Sequence, residues 1–167
     1  MTTIRCRVVE SPIGPLTLAG DDTAITALCM QDQAHPPPGR SDWTVDPHAF
    51  ADVAGQLDEY FAGTRRRFDV ALRLEGTPFQ RSVWSALREI PYGETTSYGA
   101  LAAGIGRPGA SRAVGLANGR NPVAIIVPCH RVIGANGTLT GYGGGLNRKR
   151  RLLDLEGDRE TPQLTAT

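Results

Sequence analysis

The chain has 167 residues, 40% apolar and 21% charged, a globular composition with no run near the ~20 apolar residues of a membrane span. Three widely spaced cysteines (Cys6, Cys29, Cys129) argue against a disulfide framework and for a reducing, cytoplasmic setting; Met1 to Glu10 has no apolar h-region, and no CxxC, HExxH or paired Cys/His spacing suggests zinc. The net charge of +1 hides an asymmetry: residues 1–76 sum to −4 and residues 77–167 to +5, the footprint expected if only the second half faces a polyanion.

Short apolar runs around the turns Ser11-Pro12-Ile13-Gly14-Pro15 and Asp21-Asp22 predict three strands between Arg5 and Leu28, a small antiparallel sheet. Gln31 to Asp46, with Pro36-Pro37-Pro38-Gly39, reads as an exposed loop. Phe50, Val53, Ala54, Leu57 and Phe61 recur at helical spacing, and Gly63 ends the pattern. The triplet Arg65-Arg66-Arg67 reads as a solvated corner, and the alternation Phe68, Val70, Leu72, Leu74 predicts a further strand.

Glu75-Gly76 marks a boundary, giving an N-terminal α/β domain (1–76), a C-terminal, mostly helical domain (77–160) and a flexible tail (161–167). Thr77 is an N-cap, Pro78 the first helical residue and Gln80 the partner in a capping box; Phe79, Val83, Leu87 and Ile90 form one stripe before Pro91. Ser97 caps a helix from Tyr98 to Gly104, and Gly106-Arg107-Pro108-Gly109 turns into a second helix, Ala110 to Asn118. The pair suggests a helix-turn-helix. Its second helix is thin, built on Ala110, Ala113, Gly115 and Ala117 with Arg112 as its one charge, and suits either close helix packing or a nucleic-acid groove. The whole reads as α/β (α+β): a small N-terminal antiparallel sheet with a helix, then a mostly helical, winged-helix-like part.

The chemical centre is Pro122 to Ile133. A cysteine in apolar surroundings is commonly inert, but Cys129 is followed by His130 and Arg131, poor core residues, which points to a reactive thiol at a pocket mouth. On an extended segment neighbouring side chains diverge, so Cys129 and His130 need a bend or a bridging water to communicate. Glu156, closing a helix from Arg148 that Gly157 terminates, either orients the imidazole or is an exposed carboxylate. The run Arg148-Lys149-Arg150-Arg151 reads as a solvated face.

Pro128-Cys129-His130-Arg131-Val132, after Asn121-Pro122-Val123, resembles the signature of the O6-alkylguanine-DNA alkyltransferases. Pro91-Tyr92-Gly93-Glu94-Thr95, Ser97-Tyr98, Ser111-Arg112-Ala113-Val114-Gly115, Tyr142-Gly143-Gly144-Gly145 and Leu152-Leu153-x-Leu155-Glu156 stand at that family's spacing, and Ser11-Pro12-Ile13-Gly14 and Tyr60-Phe61-x-Gly63 extend the likeness to the first half. The resemblance implies direct reversal of damage. Cys129 would take the alkyl group from O6-alkylguanine in double-stranded DNA, with O4-alkylthymine a lesser substrate. His130 would be the base, oriented by Glu156; Asn121 would hold the turn and Tyr98 would protonate the departing base. Ser111, Arg112, Ala113 and Gly115 would meet the minor groove, Arg112 replacing the flipped base. The Cys129 and Val132 carbonyls, Tyr142, Gly143 and Gly144 would form the pocket. The resemblance further implies one turnover per molecule, no cofactor and a monomer, with cooperative assembly on DNA open. Asp21 and Thr26 stand where some relatives carry zinc ligands, so no metal is expected; Gly143 replaces a serine and Asn118 an apolar wall of some relatives.

Three other readings stay open from sequence: a lesion binder without chemistry, which the presence of Cys129 opposes; an alkylation-sensing regulator, for which the chain has little room; and a cysteine hydrolase using Cys129, His130 and Glu156.

Overall fold

A computed structural model of the chain describes residues 3–139 and 141–160; the expected tail, 161–167, lies outside the described residues. The first three strands form where the apolar runs and turns place them: β1 (Arg5–Val9), β2 (Leu16–Gly20) and β3 (Ile25–Met30), paired antiparallel with β2 central. The expected loop after β3 is not featureless. It contains a 3₁₀ turn at Arg40–Asp42 and a short strand β4 (Thr44–Val45), which joins β1 in parallel to give the order β3-β2-β1-β4.

Residues Phe68–Leu74, expected as a strand, make a single bridge, Leu72 to Ile25, through Ala71 O and Arg73 N. The reason lies in the edge they would extend. Further along β3 the outer edge is taken by Pro122–Ala124: Leu28 N donates to Pro122 O at 2.9 Å and Ala124 N to Leu28 O at 3.1 Å. A strand edge offers one row of donors and acceptors, and here two distant segments divide it. That division carries the segment leading to Cys129 onto the N-terminal sheet.

Helix α1 (Ala51–Ala62) buries Val53, Ala54, Leu57 and Tyr60. Helix α2 (Pro78–Leu87) has the expected reciprocal cap, with Gln80 N on the Thr77 hydroxyl at 3.1 Å and Thr77 N on Gln80 Oε1 at 3.0 Å. After it come β5 (Thr96–Ser97), α3 (Tyr98–Gly104), capped by Ser97, and α4 (Ser111–Gly119), the helix-turn-helix pair. Strand β6 (Val132–Ile133) lies parallel to β5 and so ties the start of α3 to the residue after the Cys129 segment. Helix α5 (Leu146–Glu160) does not stop at Gly157, which lies within it. Val83, Trp84, Leu87, Val114 and Val123 join Leu16, Leu18, Leu28 and Leu57 in one core cluster, pinned by the Trp84 indole on Ala117 O at 2.9 Å.

Candidate active site

The site starts at the end of α4. Asn121 spans the chain reversal there: its Oδ1 accepts from Val123 N at 3.0 Å and its Nδ2 donates to Val127 O at 2.8 Å. Within this turn Ile125 has φ 72°, a left-handed conformation that a β-branched side chain strongly disfavours. The neighbours over-determine it, through Val127 N on Val123 O at 3.0 Å and the β3 bridge. Pro128 then leads into a 3₁₀ turn at Cys129–Arg131, the bend that an extended segment would lack.

His130 and Arg131, which look from sequence like poor core residues, are 0% and 7% exposed, and Glu156 is only 2% exposed. Their burial is possible because the charges meet. Glu156 Oε2 accepts from His130 Nε2 at 2.7 Å, the Tyr60 hydroxyl at 2.6 Å and Arg131 Nη2 at 3.0 Å, and Oε1 accepts from Arg131 Nε at 2.8 Å. Arg131 Nη1 also donates to Ile90 O at 2.6 Å. Burial raises the Glu156 carboxyl, but the His130 charge and bond and the Arg131 guanidinium prevail and hold it at about 2. An ionised carboxylate only accepts, so His130 Nε2 carries a hydrogen and Nδ1 is the ring nitrogen left to exchange a proton. That Nδ1 is buried without a hydrogen-bond partner among the described residues. The exposed-carboxylate reading of Glu156 is thereby overturned.

Cys129 is 5% exposed and faces a cavity of about 10 Å³ lined by Met30, Gln33, Asn118, Asn121, Tyr142 and Gly144, among others. Burial pushes its thiol up; Asn121, Lys149 and Tyr142 act against that rise. The Tyr142 hydroxyl is buried nearby without a well-formed hydrogen bond, and burial next to the thiol drives it well above the phenol range. Asn118 Nδ2 donates to Cys129 O at 3.3 Å, so this polar residue grips the cysteine backbone. Gly144 is required by space: a Cβ there would stand 2.3 Å from Met30 Sδ and 3.0 Å from the Tyr142 ring.

Outside this cavity a larger open groove of about 770 Å³ collects Tyr98, Ser111, Arg112, Gly115, Tyr142 and Gly143 with Ala34 and His35. Gly115 faces the Tyr98 ring, where a Cβ would sit in ordinary contact at 3.7 Å. Arg112 is exposed, and its side chain makes no hydrogen bond or ion pair among the described residues. Ala113 is exposed on the same helix but does not line the groove, and Val132 is wholly buried behind the turn.

Sequence reasoning missed several members. Tyr60, Met30 and Gln33 come from the first half of the chain, and Ala34 N holds Gly143 O at 2.8 Å. Arg131 is the second ligand of Glu156. The basic run is not all solvated: Arg150 and Arg151 are exposed, but Arg148 binds the carbonyls of Ile13, Gln31 and Gly144, and Lys149 is 0% exposed. The signal for Lys149 was the spacing Lys149, Leu152, Glu156, one buried helical stripe. Among the described residues no group of three or more His, Cys, Asp or Glu is placed to hold a metal; Asp21 instead pairs with Arg73 and caps the turn at Thr23. No helix among them is long and apolar enough to cross a membrane.

Two family models match the chain: the 6-O-methylguanine DNA methyltransferase ribonuclease-like domain over residues 4–74 and its DNA-binding domain over residues 78–158. A methylated-DNA–protein-cysteine methyltransferase of Mycobacterium bovis is 61% identical over 162 residues, 97% of this chain and 98% of that protein. A namesake from Methanosarcina acetivorans is 55% identical over 150 residues, 90% of this chain and 96% of that one. The Mycobacterium tuberculosis OGT crystallised in complex with DNA superposes with a TM-score of 0.89 at 61% identity, covering 93% of this chain and 94% of that one.

Proposed function

Because the chain belongs to the methylated-DNA–protein-cysteine methyltransferases, DNA-binding enzymes of DNA repair, we propose that it reverses O6-alkylguanine damage in duplex DNA, and O4-alkylthymine less readily, by taking the alkyl group irreversibly onto Cys129. In this reading α4 enters the minor groove, with Ser111, Ala113 and Gly115 against its walls. Arg112 fills the stack as the damaged nucleotide turns out, at a cost of a few kcal/mol that a poorly paired lesion reduces. The extruded guanine lies in the groove beside Tyr98 and Tyr142 under Gly143–Gly144. Its amino group meets the Cys129 and Val132 carbonyls, each of which has a second lone pair beyond the one taken by Asn118 or Lys149.

The chemistry balances within protein and substrate. His130 Nδ1 takes the Cys129 proton by way of a water, and Glu156 stabilises the imidazolium that forms. The sulfur attacks the alkyl carbon; the S–C bond forms as the C–O6 bond breaks, and the leaving guanine takes a proton from the Tyr98 hydroxyl. Asn121 keeps the turn that presents Cys129. The product is a thioether, which thiol exchange cannot reverse, so each monomer acts once and needs no cofactor. A cytoplasmic setting suits three free cysteines.

The observation that carries the reading is His130 itself, a buried base whose tautomer is fixed by Glu156 and whose lone pair is free on the turn that bears Cys129. Intact-mass measurement after incubation with duplex DNA containing O6-methylguanine tests it. A gain of one methylene per chain, mapped to Cys129, is the expected result; no gain, or repeated turnover with unmodified Cys129, overturns it.

A further inference from the structure

Lys149 is the one lysine in the chain; the other 17 of the 18 Lys+Arg residues are arginines. It is also fully buried, at 0% exposure, a position that lysine almost never takes without a specific use for its charge. Its Nζ donates to Val132 O at 2.6 Å and to Gly141 O at 3.4 Å. Those carbonyls lie on two walls of the site: Val132 follows the Cys129–Arg131 turn, and Gly141 opens the loop that runs to Gly144. Carbonyls only accept, and an ammonium has the hydrogens to serve both.

Position 149 lies two turns before Glu156 on the buried face of α5, so one helix delivers an ammonium and a carboxylate to the same turn. The carboxylate is committed to His130, Arg131 and Tyr60. The ammonium interacts electrostatically with Cys129, and the effect is mutual: Lys149 lowers the thiol and the thiolate raises the lysine, but burial prevails and brings the lysine down to about 8. Among the described residues the other polar and titratable groups near the sulfur are Gln33, Asn118, the Asn121 amide and the Tyr142 hydroxyl in its cavity and the His130–Glu156 pair of the same turn, with Arg148 acting on Tyr142 from α5.

We propose that Lys149 is a positioning residue for alkyl transfer, whose buried ammonium fixes the Val132 carbonyl and supplies the positive field that holds the Cys129 sulfur as a thiolate until it attacks. The proposal rests on Cys129 being the alkyl acceptor. Lys149 gains and loses no proton in the step: the thiol proton goes to His130, the sulfur electron pair forms the S–C bond, and the ammonium is unchanged beside a neutral thioether. A lysine suits this task better than another arginine, being a compact point charge and not a planar fork.

Because Lys149 is the sole lysine, ¹³C-lysine labelling of the intact wild-type protein gives one Cε signal to titrate by NMR, before and after S-methylation of Cys129 with methyl iodide confirmed by peptide mass. The expected result is a midpoint lower by about one in pH after methylation, tenfold in the ionisation constant, because the thiolate partner is gone. An unchanged midpoint overturns the proposal. A second arm measures the pH dependence of Cys129 alkylation by iodoacetamide. Lys149→Met should raise its midpoint and slow the reaction about tenfold near neutral pH, and Lys149→Arg should restore most of the loss; equal loss in both variants, with both folded, also overturns it. Neither arm uses DNA, so failure of methyl transfer from O6-methylguanine would be seen separately.

Discussion

Tyr60 and Glu156 lie 96 residues apart and share a buried hydrogen bond of 2.6 Å. Helix α1 of the first half thus donates directly to the carboxylate that sets the His130 tautomer. Tyr60→Phe keeps the ring contacts with Phe61, Phe68 and Tyr92 and removes only the donor. A hydrogen bond to a charged group contributes about 1.5–3 kcal/mol, and a loss in that range is expected in urea unfolding. Single-turnover transfer should slow only a few-fold, since Arg131 and His130 still hold the carboxylate. Unchanged stability would mean that the bond does not couple the two halves.

The same carboxylate makes stability depend on acid. Glu156 titrates at about 2 in the folded protein against an ordinary 4.5. Its folded value is depressed, so its contribution is complete above pH 4.5 and is lost as pH falls from there toward about 2. The difference corresponds to about 3 kcal/mol as an order of magnitude. Asp21, lowered by its Arg73 bond, acts in the same direction, so the variant comparison is what isolates Glu156. Glu156→Gln should be less stable than the parent at neutral pH, because Arg131 is left buried and unpaired, and should lose less on acidification. Parallel pH–stability curves for the two proteins would contradict this assignment.

Local grammar was legible in the chain. The Thr77–Gln80 box, the Ser97 cap and the three-strand run appear where propensity and capping rules put them, because each is decided by residues within a few positions. The Cys129, His130 and Glu156 set could be named from motifs, but not their burial. That depends on Arg131 and Tyr60 meeting one carboxylate from separate elements, a long-range coincidence that no local pattern encodes. Phe68–Leu74 has strand alternation yet forms one bridge, since the β3 edge is shared with Pro122–Ala124. Lys149 was hidden by its neighbours: a run of four cations reads as solvated unless helical phase is followed across Leu152 to Glu156.

Gly144 carries a prediction about pocket closure. With its Cβ 2.3 Å from Met30 Sδ, Gly144→Ala must displace the 141–144 segment or Met30, and Met30 is itself only 4% exposed. Transfer by the variant should slow at least tenfold, while DNA binding, assigned to α4 in the proposed reading, changes little. Met30→Ala should relieve the clash, so the double variant should react faster than Gly144→Ala alone. A double variant that is no faster would show that the alanine acts by some route other than Met30.

Arg112 separates base flipping from simple binding. It projects from α4 into the open groove on a helix whose other exposed positions are mostly small, and its side chain is not committed to any hydrogen bond or ion pair among the described residues. A guanidinium so placed can leave solvent for a stacked position without breaking a protein contact. If it replaces the extruded base, Arg112→Ala should slow transfer from duplex DNA much more than transfer from free O6-benzylguanine, which needs no flipping. Arg112→Lys should rescue only part of the duplex rate, because an ammonium keeps the charge but not the planar stacking surface. Paired single-turnover rates on the two substrates decide the matter for each variant. Equal losses on both would mean that Arg112 supports the pocket or the fold, and the replacement of the base would have to come from another residue.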